Sequence, residues 1–392
     1  MAANDSTTSQ RPAELDASKL VVTTLAKRKP LPPMESLVFG ETKTDHMLII
    51  NYTPATGWSA PVIKPYGPLS LDPMSSCLQY SQNVFEGMKV YLGTNGEARL
   101  FRPNDNMARL ARSAARLALP AFNPDELLAL IKELIKLELR WIPKAPGCSL
   151  YIRPTIIGTR AALGAVPSDS ACIFVIVTPA GPYFQGSKKG ISLLAIGENI
   201  RLRPGGSGGH KLGLNYASGF LPQTLASKQG YDQVLWLLGK SEKVTEAGAM
   251  NLFFAVQRRD GDVDLITPPL DGTILPGITR ACMLAFAEAH STGKIVLPGV
   301  PASLKLHVHE RPVTMGEIDV FSTQIGRILE VFGVGTAVIV VPITRIGWRG
   351  KDIVLPVHEG NGLGQIGHGM WQMMVDVQTG KTQFEDWSVV CD

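Results

Sequence analysis

The chain has 392 residues, 45% of them hydrophobic and 18% charged, with a formal net charge of +4. That length suggests two domains of roughly 150–200 residues each. Charge is scattered, with no Lys/Arg block beyond Lys27-Arg28-Lys29 and Lys188-Lys189, which argues against a nucleic-acid partner. Five separated cysteines without a Cys-x-x-Cys exclude a disulfide framework and a structural zinc site, and no run reaches the roughly 20 apolar residues of a membrane-spanning helix.

Residues 1–30 are expected to form a disordered tail. Positions 1–20 are polar and carry Asp5, Glu14 and Asp16, which fits neither a secretory signal nor an acid-poor transit peptide. A cytoplasmic location is expected, with mitochondrial as the alternative. Strand-like alternation starts over 45–52 and recurs over 88–91 and 98–101. Asn104 is read as the cap of a helix that runs to 119, where Pro120 stops it. Asn123-Pro124-Asp125-Glu126 supplies a cap, a proline at the first helical position and a capping-box glutamate. In the helix that follows, Leu127, Ile131, Leu134 and Ile135 share one face, and Lys132, Glu133 and Lys136 share another.

Strands over 149–157 and 171–178 complete a smaller domain, 31–180. Pro, Gly, Ser and paired lysines mark a linker over 181–192. In the larger domain, 193–392, helices over 217–229, 277–290 and 315–325 alternate with strands over 233–238, 251–257, 263–266 and 337–341. Both halves read as α/β or α+β units, with a cofactor site expected between them.

Lys211-Leu212-Gly213-Leu214-Asn215-Tyr216 follows a glycine-dense approach from Pro204 to Gly209, where the backbone can bend closely around a ligand. Leu212 and Leu214 flank the lysine, and a desolvated ammonium loses its proton more easily. Thr245-Glu246-Ala247-Gly248 places a carboxylate in a second turn of small residues. A lysine, a tyrosine and a glutamate so placed point to pyridoxal 5'-phosphate, with a Schiff-base lysine and a carboxylate facing the pyridine nitrogen. A nucleotide P-loop is rejected, because glycine is missing at His210 and Ser/Thr at Leu212. No G-x-G-x-x-G supports a dinucleotide fold.

Arg109, Arg112 and Arg116 share a helix face, either as a solvated basic face or with one of them clamping a phosphate. Tyr151 and Arg153 alternate on one face of a strand. Burying that arginine requires an anion, either a structural carboxylate or a substrate carboxylate. The turns Pro276-Gly277-Ile278-Thr279 and Gly333-Val334-Gly335-Thr336-Ala337 each offer free backbone N–H groups to an anion.

Taken together, these residues resemble the branched-chain amino acid aminotransferases of fold type IV, in their eukaryotic-type subgroup. The resemblance runs from Leu37 to Pro356 through Leu37-Val38-Phe39-Gly40, Thr44-Asp45-His46-Met47, Tyr80, Phe85-Glu86-Gly87-Met88-Lys89, Asn106-Met107 with Arg109, Tyr151-Ile152-Arg153-Pro154, Lys211-Leu212-Gly213, Thr245-Glu246, Leu275-Pro276-Gly277 and Gly335-Thr336-Ala337. It implies Lys211 as Schiff base and proton carrier, Glu246 at the pyridine nitrogen and Tyr216 at the phenolic oxygen. Arg109, Thr336 and the backbone of Ile278 and Thr279 would hold the phosphate. Phe39, Tyr80, Phe85, Tyr151 and Tyr183 would line the side-chain pocket. Arg153 would receive the distal carboxylate of glutamate, and the backbone near Ala249 and Ala337 the α-carboxylate. A homodimer is implied, with Tyr80 and Leu163 reaching the neighbour's site. The implied reaction moves the amino group of leucine, isoleucine or valine to 2-oxoglutarate. No metal is expected.

Several positions depart from that pattern. Ala249 stands where relatives often carry threonine, Val338 and Val341 stand where mammalian relatives carry a redox Cys-x-x-Cys, and His210 differs from some relatives. Residues 294–306 resemble an insertion. The rival readings are a D-amino acid aminotransferase, an aminodeoxychorismate lyase, or a cofactor-free scaffold of the same fold. Intact Lys211, Tyr216 and Glu246 argue against the scaffold, and the Tyr151–Arg153 pair with the long N-terminal block argues against the other two.

Overall fold

A computed structural model describes residues 12–145, 147–181, 189–324 and 326–391. The first half builds one sheet from β1 (Val21–Val22), β2 (His46–Thr53), β3 (Gly57–Trp58), β4 (Val62–Pro65), β5 (Asn83–Phe85), β6 (Met88–Leu92), β7 (Ala98–Phe101), β8 (Ser149–Gly158) and β9 (Ala171–Ala180). Its order is β1-β4-β2-β9-β8-β6-β7, with β3 beside β2 and β5 beside β8. The helices are α1 (Ser76–Tyr80), α2 (Pro103–Arg116) and α3 (Pro124–Glu138). Antiparallel β8 and β9 pair along their whole length, from Ser149↔Ala180 to Gly158↔Ala171. Side chains alternate across a strand. Leu150, Ile152 and Ile156 of β8 therefore join Leu127, Leu130, Ile131, Leu134 and Ile135 of α3 in one core. Each of those α3 side chains is fully buried, which stabilises the fold by about 1.5–3 kcal/mol apiece. Tyr151 and Arg153 are left to face the other way.

The second sheet has the order β12-β11-β10-β17-β16-β13-β14-β15, with β18 beside β17. Its strands are β10 (Ile191–Ile196), β11 (Gln233–Leu238), β12 (Lys243–Ala247), β13 (Asn251–Gln257), β14 (Val263–Thr267), β15 (Leu306–Glu310), β16 (Ile328–Gly335), β17 (Ile339–Trp348) and β18 (Lys351–Val354). The helices here are α4 (Leu214–Ala217), α5 (Phe220–Lys228), α6 (Ile278–Ser291), α7 (Met315–Asp319) and α8 (Gln365–Gln378). Strand β13 is buried on both faces. Phe253 and Ala255 pack toward α6 and α8, while Leu252, Phe254 and Val256 pack toward Met315 and Ile318.

The structure corrects several expectations. Helix α2 begins at Pro103, with Arg102 as its left-handed cap residue at φ 47°, so Asn104 lies inside the helix. Asn123 caps α3 by accepting from the Asp125 N–H at 3.0 Å, but no reciprocal capping box forms, because Glu126 Oε2 accepts from the Ala17 N–H at 2.6 Å. The helix expected over 217–229 is two helices, broken at Ser218-Gly219 where Gly219 lies against the Trp236 ring. The helix expected over 315–325 stops at Asp319 and passes into a wider π-type turn. The strand expected over 337–341 starts at Ile339, because residues 336–338 form a hairpin loop.

The tail expected over 1–30 is contradicted for residues 12–30, since Leu15 is buried, β1 pairs with β4 and Ala13 bridges Gly57. Positions 1–11, and most of the expected linker including Tyr183, lie outside the described residues. The final strand, β19 (Ser388–Val390), returns to the first sheet and pairs with β7, so residues up to 392 are not all part of the larger domain. The supposed insertion covers the α6–α8 face, where Leu297 is fully buried and its N–H donates to His290 Nδ1 at 3.1 Å.

Candidate active site

Where the two sheets meet there is a cavity of about 220 Å³. Lys211 enters it from a segment stitched to the edge of β5. Leu212 bridges Val84, the Phe85 N–H donates to the Lys211 carbonyl at 3.2 Å, and the Lys211 N–H donates to Ser113 Oγ at 3.0 Å. The Lys211 backbone is thus held on both sides, through its carbonyl by Phe85 and through its N–H by Ser113. Lys211 Nζ lies 2.9 Å from Tyr216 Oη and 4.7 Å from the Phe85 ring centroid.

One end of the cavity is built for an anion. Arg109 and the uncapped N-terminus of α6 at Gly277, Ile278 and Thr279 meet Thr336 there, so N–H groups and the helix dipole point into the space. A Cβ on Gly277 would stand 2.1 Å from Asn251 Oδ1, so only glycine lets these segments approach so closely. Arg112 and Arg116 are exposed on the outer turns of α2, and their charge, after burial, lowers the His210 imidazole.

The opposite end holds Glu246, 2% exposed on β12. Its carboxylate accepts from Arg201, from the Leu275 N–H at 3.2 Å and from Asn251 Nδ2 at 3.4 Å. Burial pushes this carboxyl up, against the pull of Arg201 and Lys211, which makes it a more basic acceptor than an ordinary glutamate. Arg201 also lies 5.3 Å from the Tyr216 ring.

The third wall is aromatic, with Phe39 edge-on to Tyr151 at 4.8 Å and Phe85 5.0 Å from Tyr216. A Cβ on Gly87 would stand 2.1 Å from Tyr151 Oη. The Arg153 guanidinium sits 4.7 Å from the Phe85 ring and donates to Tyr151 Oη at 3.0 Å, and its buried Nε has no partner among the described residues. Among the described residues no carboxylate pairs with Arg153. The floor is the hairpin loop 336–338, which ends at Ile339 with φ 61°. A β-branched residue there carries backbone strain of order 1–3 kcal/mol. Lys89, buried on β6, donates to the Ala337 carbonyl at 2.9 Å.

Thirteen expected residues therefore line one cavity: Lys211, Tyr216, Glu246, Arg109, Ile278, Thr279, Thr336, Phe39, Phe85, Tyr151, Arg153, Ala249 and Ala337. Tyr80 and Leu163 lie elsewhere, on the surface, where the Tyr80 hydroxyl donates to the Leu163 carbonyl. Sequence reasoning missed Glu86, Arg201 and Lys89. The Phe85-Glu86-Gly87-Met88-Lys89 motif contained two of them, but nothing local showed what they touch.

Residues 83–346 match the family described as Amino-transferase class IV. The chain is 42% identical to the mitochondrial branched-chain-amino-acid aminotransferase of Schizosaccharomyces pombe, over 96% of this chain and 86% of that protein. It is 42% identical to the cytosolic one of Saccharomyces cerevisiae, over 96% and 98%, and 44% identical to the Monosiga brevicollis enzyme, over 97% and 93%. In fold it is similar to the branched-chain amino acid aminotransferase of Thermobaculum terrenum, solved in its PLP form, with a TM-score of 0.66 at 22% identity, covering 89% of this chain and 99% of that one. The Escherichia coli enzyme gives a TM-score of 0.66 at 24% identity, also covering 89% and 99%.

The chain therefore belongs to the class IV aminotransferases, whose fold-type IV architecture it shares. Within that class, its identity to relatives along nearly their whole length places it in the branched-chain amino acid aminotransferase family.

Proposed function

We propose that this protein transfers the amino group of leucine, isoleucine or valine to 2-oxoglutarate, giving branched 2-oxo acids and glutamate, with pyridoxal 5'-phosphate in the described cavity. The carrying observation is the Lys211 amine held 2.9 Å from Tyr216 Oη, between an anion-binding end and a buried carboxylate. The residues fit the cofactor. Arg109, Thr336 and the N–H groups of Ile278 and Thr279 suit a phosphate, Tyr216 suits the phenolic oxygen, and Glu246 suits a protonated pyridine nitrogen.

When bound, the cofactor withdraws electrons from the substrate's Cα and so acidifies its proton. Lys211 Nζ, flanked by the Tyr216 hydroxyl, takes that proton as general base and redelivers it as general acid. Glu246, made more basic by burial, holds the nitrogen's proton in place. Phe39, Phe85 and Tyr151 accept a branched apolar side chain and exclude water. Arg153, with no carboxylate partner among the described residues, receives the distal carboxylate when 2-oxoglutarate or glutamate occupies the same space. Ala249 and the 336–338 loop offer backbone N–H groups to the α-carboxylate. We also propose a homodimer in which Tyr80 and Leu163 lie near the neighbour's site.

The test is chemical. Purified protein should absorb visible light, and borohydride should bleach the band and fix the label on Lys211. Lys211→Met should lower leucine turnover by at least about 10³-fold. Labelling at another lysine, or undiminished turnover, would refute the assignment.

A further inference from the structure

Glu86 lies at the break between β5 and β6 and is fully buried. Its Oε1 accepts from Arg109 Nε at 2.6 Å. Its Oε2 accepts from Arg109 Nη2 at 2.9 Å, from Asn106 Nδ2 at 2.8 Å and from the Gly87 N–H at 3.0 Å. Four N–H groups thus donate to the carboxylate, three of them to Oε2. Burial opposes its charge, but the Arg109 guanidinium holds its carboxyl below the usual range. On the arginine, Nη1 donates to the Pro276 carbonyl at 3.1 Å. Three of the five guanidinium N–H groups are then committed and two remain for a ligand.

Arg109 has an alternative place to go. It lines the inner cavity, and it also lines an outer crevice of about 190 Å³ with Arg112, Arg280 and Asp105, the last already paired with Arg102 at 2.8 Å. A long, rotamer-rich side chain without an inner partner would move its charge toward that wetter side. Two effects of Glu86 oppose each other. Its negative charge offsets the positive end that attracts a phosphate. Its side-on fork holds the planar guanidinium in one orientation, so little ordering is left to do when the anion arrives. Because Arg109 is 5% exposed and has a competing crevice, orientation outweighs charge compensation.

We propose that Glu86 is a positioning residue: it pins Arg109 to the inner cavity and thereby sets the protein's affinity for the phosphorylated cofactor. The proposal rests on Arg109 being the phosphate's partner.

The experiment titrates the full-length apoprotein with pyridoxal 5'-phosphate and, separately, with pyridoxal. In Glu86→Gln the dissociation constant for the phosphorylated form should rise by about tenfold or more, and that for pyridoxal should change by less than about twofold. In an Arg109→Met background, Glu86→Gln should cause no further loss. At saturating cofactor the KM for leucine should stay at the wild-type value. Equal losses for both forms would mark a merely structural role and overturn the proposal, as would unchanged or tighter binding of the phosphorylated form. Wild-type protein that binds both forms equally would remove the premise about Arg109, a different failure from the first two. Should Glu86→Gln fail to fold, Asn106→Ala loosens the same carboxylate. It should weaken only the phosphorylated form, by about threefold, and no change there would equally defeat the idea.

Discussion

Lys89 sits where the two sheets meet, 6% exposed, with its amine on the Ala337 carbonyl of the strained hairpin. Burial pulls its ammonium down from 10.5 to about 8, opposed weakly by Cys148. Between those values the unfolded chain binds more protons than the folded one, so stability rises with pH across that window. The cost of charging Lys89 is therefore fully present below about pH 8 and gone above 10.5. A shift of that size corresponds to roughly 3 kcal/mol. Lys89→Met abolishes the titration. Its unfolding free energy in urea, compared with wild type, should fall behind by an additional 2–3 kcal/mol or so as pH rises from 7.5 to 10, and a constant difference would rule this out. Residues of this kind were invisible in the sequence for a physical reason. Lys211, Tyr216 and Glu246 announce themselves by local turns and neighbours. The meaning of Lys89 depends on a partner 248 positions away, that of Arg201 on one 45 away and that of Glu86 on one 23 away.

At the level of elements, the sequence revealed strands such as β2, β8, β9, β11 and β13, because alternation or a dense apolar run is written along the chain itself, but it missed β10, β16 and several short strands. The ends of helices were less legible. Asn123 read correctly as a cap because cap and helix are contiguous, whereas Glu126 was diverted to Ala17, 109 positions away. Helix α8 was missed altogether, although Ile366, Met370, Met374 and Val377 form its buried stripe. Its N-terminus lacks a cap of its own at Gly364. The cap comes from β16, where the Glu330 carboxylate, 3% exposed, accepts from the N–H groups of Gly364 and Ile366 at 2.9 Å and of Gly367 at 3.1 Å. Three orphan donors at a helix start are thereby satisfied by a distant strand, and the negative charge meets the positive end of the helix dipole. Glu330→Ala leaves those donors buried and should cost about 3 kcal/mol in urea unfolding. Glu330→Gln, which keeps an oxygen but places an amide against a donor, should lose less. A loss below about 1 kcal/mol for the alanine variant would show that water replaces the carboxylate.

For the whole molecule, the two-domain reading placed its linker over 181–192, and in the structure β9 ends at Ala180 and β10 opens at Ile191. It missed the return of β19 to the first sheet, because no local pattern tells a three-residue strand which sheet to join. Leu78, Tyr80, Leu163 and Val166 are 58%, 40%, 56% and 47% exposed. Contacts tie their segments together: Ser75 bridges Ala161, the Tyr80 hydroxyl donates to the Leu163 carbonyl, and Gln82 donates to the Val166 carbonyl. Apolar side chains held together at the surface, rather than scattered singly, suit the homodimer contact proposed above. Leu163→Asp should therefore leave the isolated fold intact, within about 0.5 kcal/mol, since an exposed side chain loses no packing. It should shift micromolar protein from dimer to monomer in sedimentation velocity, and lower kcat/KM for leucine while cofactor binding persists. A variant that still sediments as a dimer would show that Leu163 lies outside the interface, and a monomer with full activity would show that each cavity is complete within its own chain.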